Sequence, residues 1–171
     1  AGMVGGLLAV GLATIVIVIG LIPTLFSERV VEAAGRMVRE TSMSGNGASL
    51  LSGRTVAGRM LLESGLERGD RRLQLMAAQQ MFAGIPMAHS LPSPPSDDSV
   101  DTVLAFVIDV SMNLFEEYDS IEAGHLALAA MLTREDSSTL QRAVVLAERI
   151  ARRDPSGLWS QRHLADALWN S

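Results

Sequence analysis

Hydrophobic positions run without a charged interruption from Ala1 to Ser27, and the first charge of the chain is Glu28. Beyond it, apolar residues recur at intervals of three and four among arginines and carboxylates. The first pattern predicts a helix that is apolar all round, the second a set of amphipathic helices closing a core. A helix from Leu7 to Phe26 rises about 30 Å, which matches the hydrocarbon thickness of a bilayer and exceeds what the apolar part of a signal peptide needs. Leu, Ile, Val and Phe fill 13 of its 20 positions, and each favours insertion by about 0.3–0.6 kcal/mol at the helix centre. Residues 1–27 are therefore read as a single-pass transmembrane anchor.

Inside that anchor Gly5, Ala9 and Ala13 repeat at a spacing of four, and Gly20 continues the small side toward the far end. Small residues so spaced let a neighbouring helix approach closely in lipid, where packing drives association. They are the candidate residues for packing on a partner's membrane helices. A start of the form Met-Ala-Gly would lose its methionine, so Ala1 is either a native mature end or an internal cut.

The remaining chain is long enough for one modest domain. Residues 28–53 read as a juxtamembrane helix followed by a flexible loop, TSMSGNGASLLSG, and residues 54–171 as a helical domain interrupted by a proline-rich loop over 84–99. Between the loops, Arg59 with Glu63 and Glu67 with Arg71 have i,i+4 spacing, while Gly65 and Gly69 predict a break near 64–70. The Arg68-Gly69-Asp70 triplet on that break is given no function. From 97 to 120, Val100, Val103, Leu104, Val107, Leu114, Phe115 and Tyr118 define a core helix with Asp97 or Asp98 as its N-cap. The proline-rich loop reads as a connector along the surface or as a strap over a partner. Alternation at period two is not sustained anywhere after the anchor, so the fold class is all-α.

Two more helices, 120–133 and 138–153, are joined by a short polar turn, and Asp154-Pro155-Ser156-Gly157 stops the chain before another. Leu128 and Ala129 on the first, Ala143 and Ala147 on the second, the Asp154-Pro155 break, and Leu164, Ala165 and Leu168 beyond it resemble a tetratricopeptide-type repeat. The resemblance covers about 50 residues, with a turn about two residues longer than the family's and Ile150 at a position that is usually small. It implies helix pairs that form a protein-docking surface without catalysis. Trp159 and Trp169 lie at this end. They are candidate docking anchors, and the alternative reading, in which both close the base of the core, is preferred.

Net charge is −5 and the arginines are interspersed with acids, so no nucleic-acid footprint is present. All 14 basic residues are arginine, as codon usage in a GC-rich genome produces, and a bacterial inner membrane is the expected location. Arg29, Arg36 and Arg39 follow the anchor and favour a cytoplasmic domain. With no cysteine there are no disulfides and no thiolate chemistry. Glu122 and His125 have the E-x-x-H spacing of carboxylate-bridged metal bundles, yet no second copy accompanies them. Phosphate-cradle, nucleophile-elbow and zinc-helix motifs are missing, so neither a cofactor nor an enzyme activity is assigned.

The expected function is a membrane-anchored, non-catalytic accessory or scaffold subunit. Its partners are the bilayer and the subunits of an integral membrane complex. An apolar start leading into FSERVVEAAGRMVRE also resembles type IV pilin-like filament subunits, although Gly5 stands where that family has glutamate and no β-rich head follows. The filament subunit is the alternative function.

Overall fold

The computed structural model of the 171-residue chain describes residues 28–134 and 136–170, and the predicted anchor with Gly5, Ala9, Ala13 and Gly20 lies outside them. Seven helices occupy the described residues: α1 (28–42), α2 (Gly47–Arg68), α3 (Arg71–His89), α4 (Asp97–Tyr118), α5 (Ile121–Arg134), α6 (Ser137–Arg153) and α7 (Leu158–Asn170). None of them is a strand, as the pattern predicted, and none is long and apolar enough to cross a membrane.

Each helix from α2 to α7 packs on the next in sequence. Contacts of α3 with α5 and of α5 with α7 place these three side by side in one layer. The even-numbered helices pack against that layer. The main core runs from Leu50 of α2 through Met81 and Ile85 of α3 and Phe115 of α4 to Ile150 of α6 and Ala167 of α7. A smaller cluster joins Ala34 of α1 to Ala57 and Leu61 of α2 and to Leu73 and Ala77 of α3.

The predicted core helix is α4, where Val100, Val103, Leu104, Val107, Leu114 and Phe115 are buried at helical spacing, whereas Tyr118, expected with them, is exposed in the last turn under the Arg71 guanidinium. Its N-cap is Ser96, one residue before the expected Asp97, because the Ser96 hydroxyl accepts from the Ser99 amide and leaves Asp97 and Asp98 in the first turn against the positive end of the helix dipole. The hairpin α5–α6 matches the predicted pair to within a residue at each end. Asp136 caps α6, its carboxylate accepting from the Thr139 amide at 2.9 Å and the Ser138 hydroxyl at 2.6 Å.

The predicted break between 64 and 70 is a two-residue turn. Gly69 takes the left-handed conformation at φ 62° that ends α2, and Asp70 caps α3 through the Arg72 and Leu73 amides. The Arg68-Gly69-Asp70 triplet thus has a structural explanation. Arg71, expected to pair with Glu67, lies beyond the break and stacks on the Tyr118 ring of α4 at 3.7 Å.

Three boundaries differ from expectation. The loop expected over 41–53 contracts to 43–46, since Leu50 and Leu51 are buried core residues that draw α2 back to Gly47. The helical unit therefore begins before residue 54 and includes α1. The proline-rich loop expected over 84–99 contracts to 90–96: Pro86 stands in the last turn of α3, where burial of Ile85 and Ala88 overrides the local preference against helix before proline. What remains of that loop is a strap on the chain itself. Its Pro92 and Ser93 carbonyls accept the Gly47 and Ala48 amides, two of the four N–H groups that the start of α2 leaves unsatisfied.

Candidate docking surface at the end of the helical stack

The turn between α6 and α7 determines how the last helix is presented. The Asp154 amide donates to the Ile150 carbonyl as α6 ends, and the Gly157 amide returns to the Asp154 carbonyl at 3.2 Å. The Ser160 hydroxyl donates to Asp154 Oδ2 at 3.0 Å and lies 3.3 Å from Nε2 of His125 on α5. Because the Ser160 proton goes to the carboxylate, its oxygen accepts from His125, and the three side chains tie α5, the turn and α7 together. Ser160 is buried.

The residue types are those of a nucleophilic triad, but the bonds run in a different order. In such a triad the imidazole takes the serine proton and the carboxylate orients the imidazole through its other nitrogen. Here the carboxylate holds the serine directly, so the group is a clamp. Glu122, paired by spacing with His125, accepts instead from the Gln79 side chain of α3 at 2.8 Å. A shallow cavity of about 390 Å³ opens beside these residues, lined by Ile121, Glu122, His125 and Trp159. Among the described residues no three His, Asp or Glu side chains are grouped to hold a metal ion.

With α7 fixed this way, its register follows. Ser160 and Ala167, seven residues apart, are each 1 % exposed and form the inner face. Trp159 is rotated about 100° from that face and Trp169 about 200°. Neither tryptophan can then close the base of the core, as the preferred sequence reading had it: Trp169 points outward and Trp159 lies exposed on a flank. Trp169 is 89 % exposed, Leu158 78 %, Trp159 63 % and Leu168 55 %. The Arg162 guanidinium lies 5.6 Å from the Trp159 ring centroid. Sequence reasoning missed Leu158, and it placed Leu168 in the repeat pattern without finding it as an exposed position. Their signal is the dipeptide Leu-Trp, which stands at both ends of the helix, at 158–159 and 168–169.

Elsewhere the surface is held by ion pairs and stacking. Arg149 forms a two-pronged pair with Glu116, holding that carboxyl below its ordinary range and raising its own pKa. Arg153 donates to the Phe115 carbonyl at 3.0 Å, pairs with Asp119 at 2.7 Å and covers the Phe115 ring at 4.1 Å. Burial lowers the pKa of Arg54, whose Nη1 donates to the Gln80 side-chain oxygen at 3.2 Å. Between α2 and α4 a second groove, of about 410 Å³, is lined by small residues such as Ala48, Ser52, Thr55 and Val103. No protein family, curated protein or solved structure matches this chain.

Proposed function

We propose that this protein is a membrane-anchored, non-catalytic scaffold subunit: Leu7–Phe26 holds it in the bilayer among partner helices, and the helical stack docks through the outer face of α7. The observation that carries the reading is that face. Leu158 and Trp169 point away from the side of α7 that is fastened into the core, and Trp159 and Leu168 stand exposed on its two flanks. Exposed aromatic anchors of this kind dominate the energetics of protein interfaces.

The layering of α3, α5 and α7 is the arrangement that stacked helix pairs adopt, which supports the tetratricopeptide-like reading of α5, α6 and α7. The described residues hold no strand from which a pilin-like head would be built, and this favours the scaffold over the filament subunit. Orientation follows the three arginines after the anchor, with the stack in the cytoplasm.

Alkaline carbonate washing of membranes, with co-purification of neighbours, tests the proposal. Full-length protein is expected to stay in the membrane pellet. Ala9→Leu or Ala13→Leu is expected to reduce co-purification more than Leu8→Ile, because a bulky group on the small side keeps a neighbouring helix away. Release of intact protein by carbonate would refute the anchor, and equal yields from the three variants would refute the packing side.

A further inference from the structure

We propose that Asn46–Gly47 is a site of spontaneous deamidation controlled by the strap over residues 90–96, so that conversion of Asn46 marks molecules in which the strap has left α2. Of the three asparagines, Asn46 alone precedes a glycine; Asn113 precedes Leu114 and Asn170 precedes Ser171. An asparagine followed by glycine is self-reactive, because no Cβ on the glycine hinders approach to its amide nitrogen.

The reaction needs only water. The Gly47 nitrogen, losing its proton to solvent base, attacks Cγ of Asn46. A C–N bond forms, the Cγ–Nδ2 bond breaks, and the side-chain nitrogen takes up a proton and leaves as ammonia. Water then opens the five-membered imide at either carbonyl. One opening gives aspartate, and the other gives isoaspartate, in which the main chain runs through the former side-chain carbon.

Three features of the fold oppose ring closure. Asn46 is the N-cap of α2 with ψ at 123°, which holds the Gly47 nitrogen about a third of a turn away from Cβ, whereas the ring requires both on one side. Its Oδ1 accepts from the Ser49 amide at 3.1 Å and its carbonyl from the Leu50 amide at 3.0 Å, so neither side chain nor peptide turns while the first turn of α2 stands. The Gly47 N–H, whose proton must be lost, is donated to the Pro92 carbonyl, and the Ala48 N–H beside it to that of Ser93.

The strap is also easily lifted. Its bonds to α2 are long, at 3.4 and 3.3 Å. Ser93 is exposed and holds φ at 61°, a left-handed conformation that a residue with a Cβ seldom adopts. Opening here is local, and ring closure draws on the population of the opened state.

Full-length protein in mild detergent is incubated at mildly alkaline pH, and peptide mapping by mass spectrometry follows the one-dalton gain at Asn46. Amide exchange of Gly47 and Ala48 is recorded in parallel, and a free peptide of residues 41–52 supplies the unprotected rate. Asn46 in the folded chain is expected to convert at least tenfold more slowly than in the peptide. Ser93→Val, whose branched side chain disfavours the left-handed conformation, is expected to raise that rate at least fivefold together with exchange at Gly47 and Ala48. Ser93→Gly is expected not to raise it. Ser160→Ala, which loosens the far end of the stack, is expected to leave it within twofold.

Conversion in the folded chain as fast as in the peptide would overturn protection by the fold. A rate at Asn46 that does not follow exchange at Gly47 and Ala48 across the variants would overturn control by the strap. Equal acceleration by Ser93→Val and Ser160→Ala would also overturn it, since the reaction would then follow unfolding of the whole stack. No conversion even in the peptide would remove the site.

Discussion

Gly47→Ala should destabilise the fold although it replaces a glycine with the best helix former. A Cβ on residue 47 would overlap the Ala88 carbonyl oxygen and lie 3.0 Å from that of Ser93. Both obstacles are backbone, so no rotamer change relieves the overlap, and the start of α2 must move away from the end of α3. That movement strains the packing by about 1–3 kcal/mol. It also lengthens the bonds from the Gly47 and Ala48 amides to the Pro92 and Ser93 carbonyls, already 3.4 and 3.3 Å, whose loss costs about 1–2 kcal/mol together. Higher helix propensity returns at most about 1 kcal/mol. The net loss is about 1–4 kcal/mol, or a melting temperature lower by about 2–15 °C for a chain of this size. Gly35→Ala in α1, where the added Cβ meets nothing within 4 Å, provides the control and should gain about 0.5–1 kcal/mol. Thermal melts of the full chain in mild detergent, followed by helical circular dichroism, compare the two. If Gly47→Ala melts with or above the unmodified protein, the strap does not lie on α2 as described.

Phe115→Ala should cost about 3–5 kcal/mol, because it empties a fully buried site and removes the ring that Arg149 and Arg153 cover; chemical denaturation measures it. Ser160→Ala should cost about 1–2 kcal/mol by leaving the Asp154 carboxylate and His125 without the hydroxyl that joins them, and amide exchange in α7 should rise while that in α4 stays unchanged. The Asp136 carboxyl is held well below the usual range, first by the Ser138 hydroxyl, then by Thr139 and its amide, with Arg134 adding. Its contribution is complete above the ordinary aspartate pKa and is lost as pH falls below it, since the unfolded chain then takes up the proton first. Asp136→Asn should flatten the dependence of melting temperature on pH below about 4, and an unchanged acid limb would contradict the cap.

The sequence made the helices of the second half legible because their apolar positions are large and regularly spaced. Leu114, Phe115, Leu146 and Ile150 mark inner faces that any helical reading finds. In α2 the inner face is built partly from glycine and alanine, with Gly58 against the Met81 side chain and Ala57 fully buried. A reading that scores glycine as a helix breaker discounts the very positions where α3 comes closest, and it turned the first turns of α2 into a loop. Pro86 misled in the same way, since local preference at Ile85 is overruled by burial that involves residues distant in sequence. At the candidate site the two tryptophans were visible, but their direction was not. It depends on the inward register of Ser160, and that register is fixed by Asp154 and His125, whose meeting no spacing rule announces.

Crosslinking mass spectrometry in native membranes tests the central claim most directly, because it records both the compartment and the surface through which the stack makes contact. The account predicts that the protein is recovered in the membrane fraction, with intermolecular links concentrated on 158–169 and few from the outer face of α4 around Asp109. Recovery in the soluble fraction, or links spread evenly over all seven helices, would contradict it.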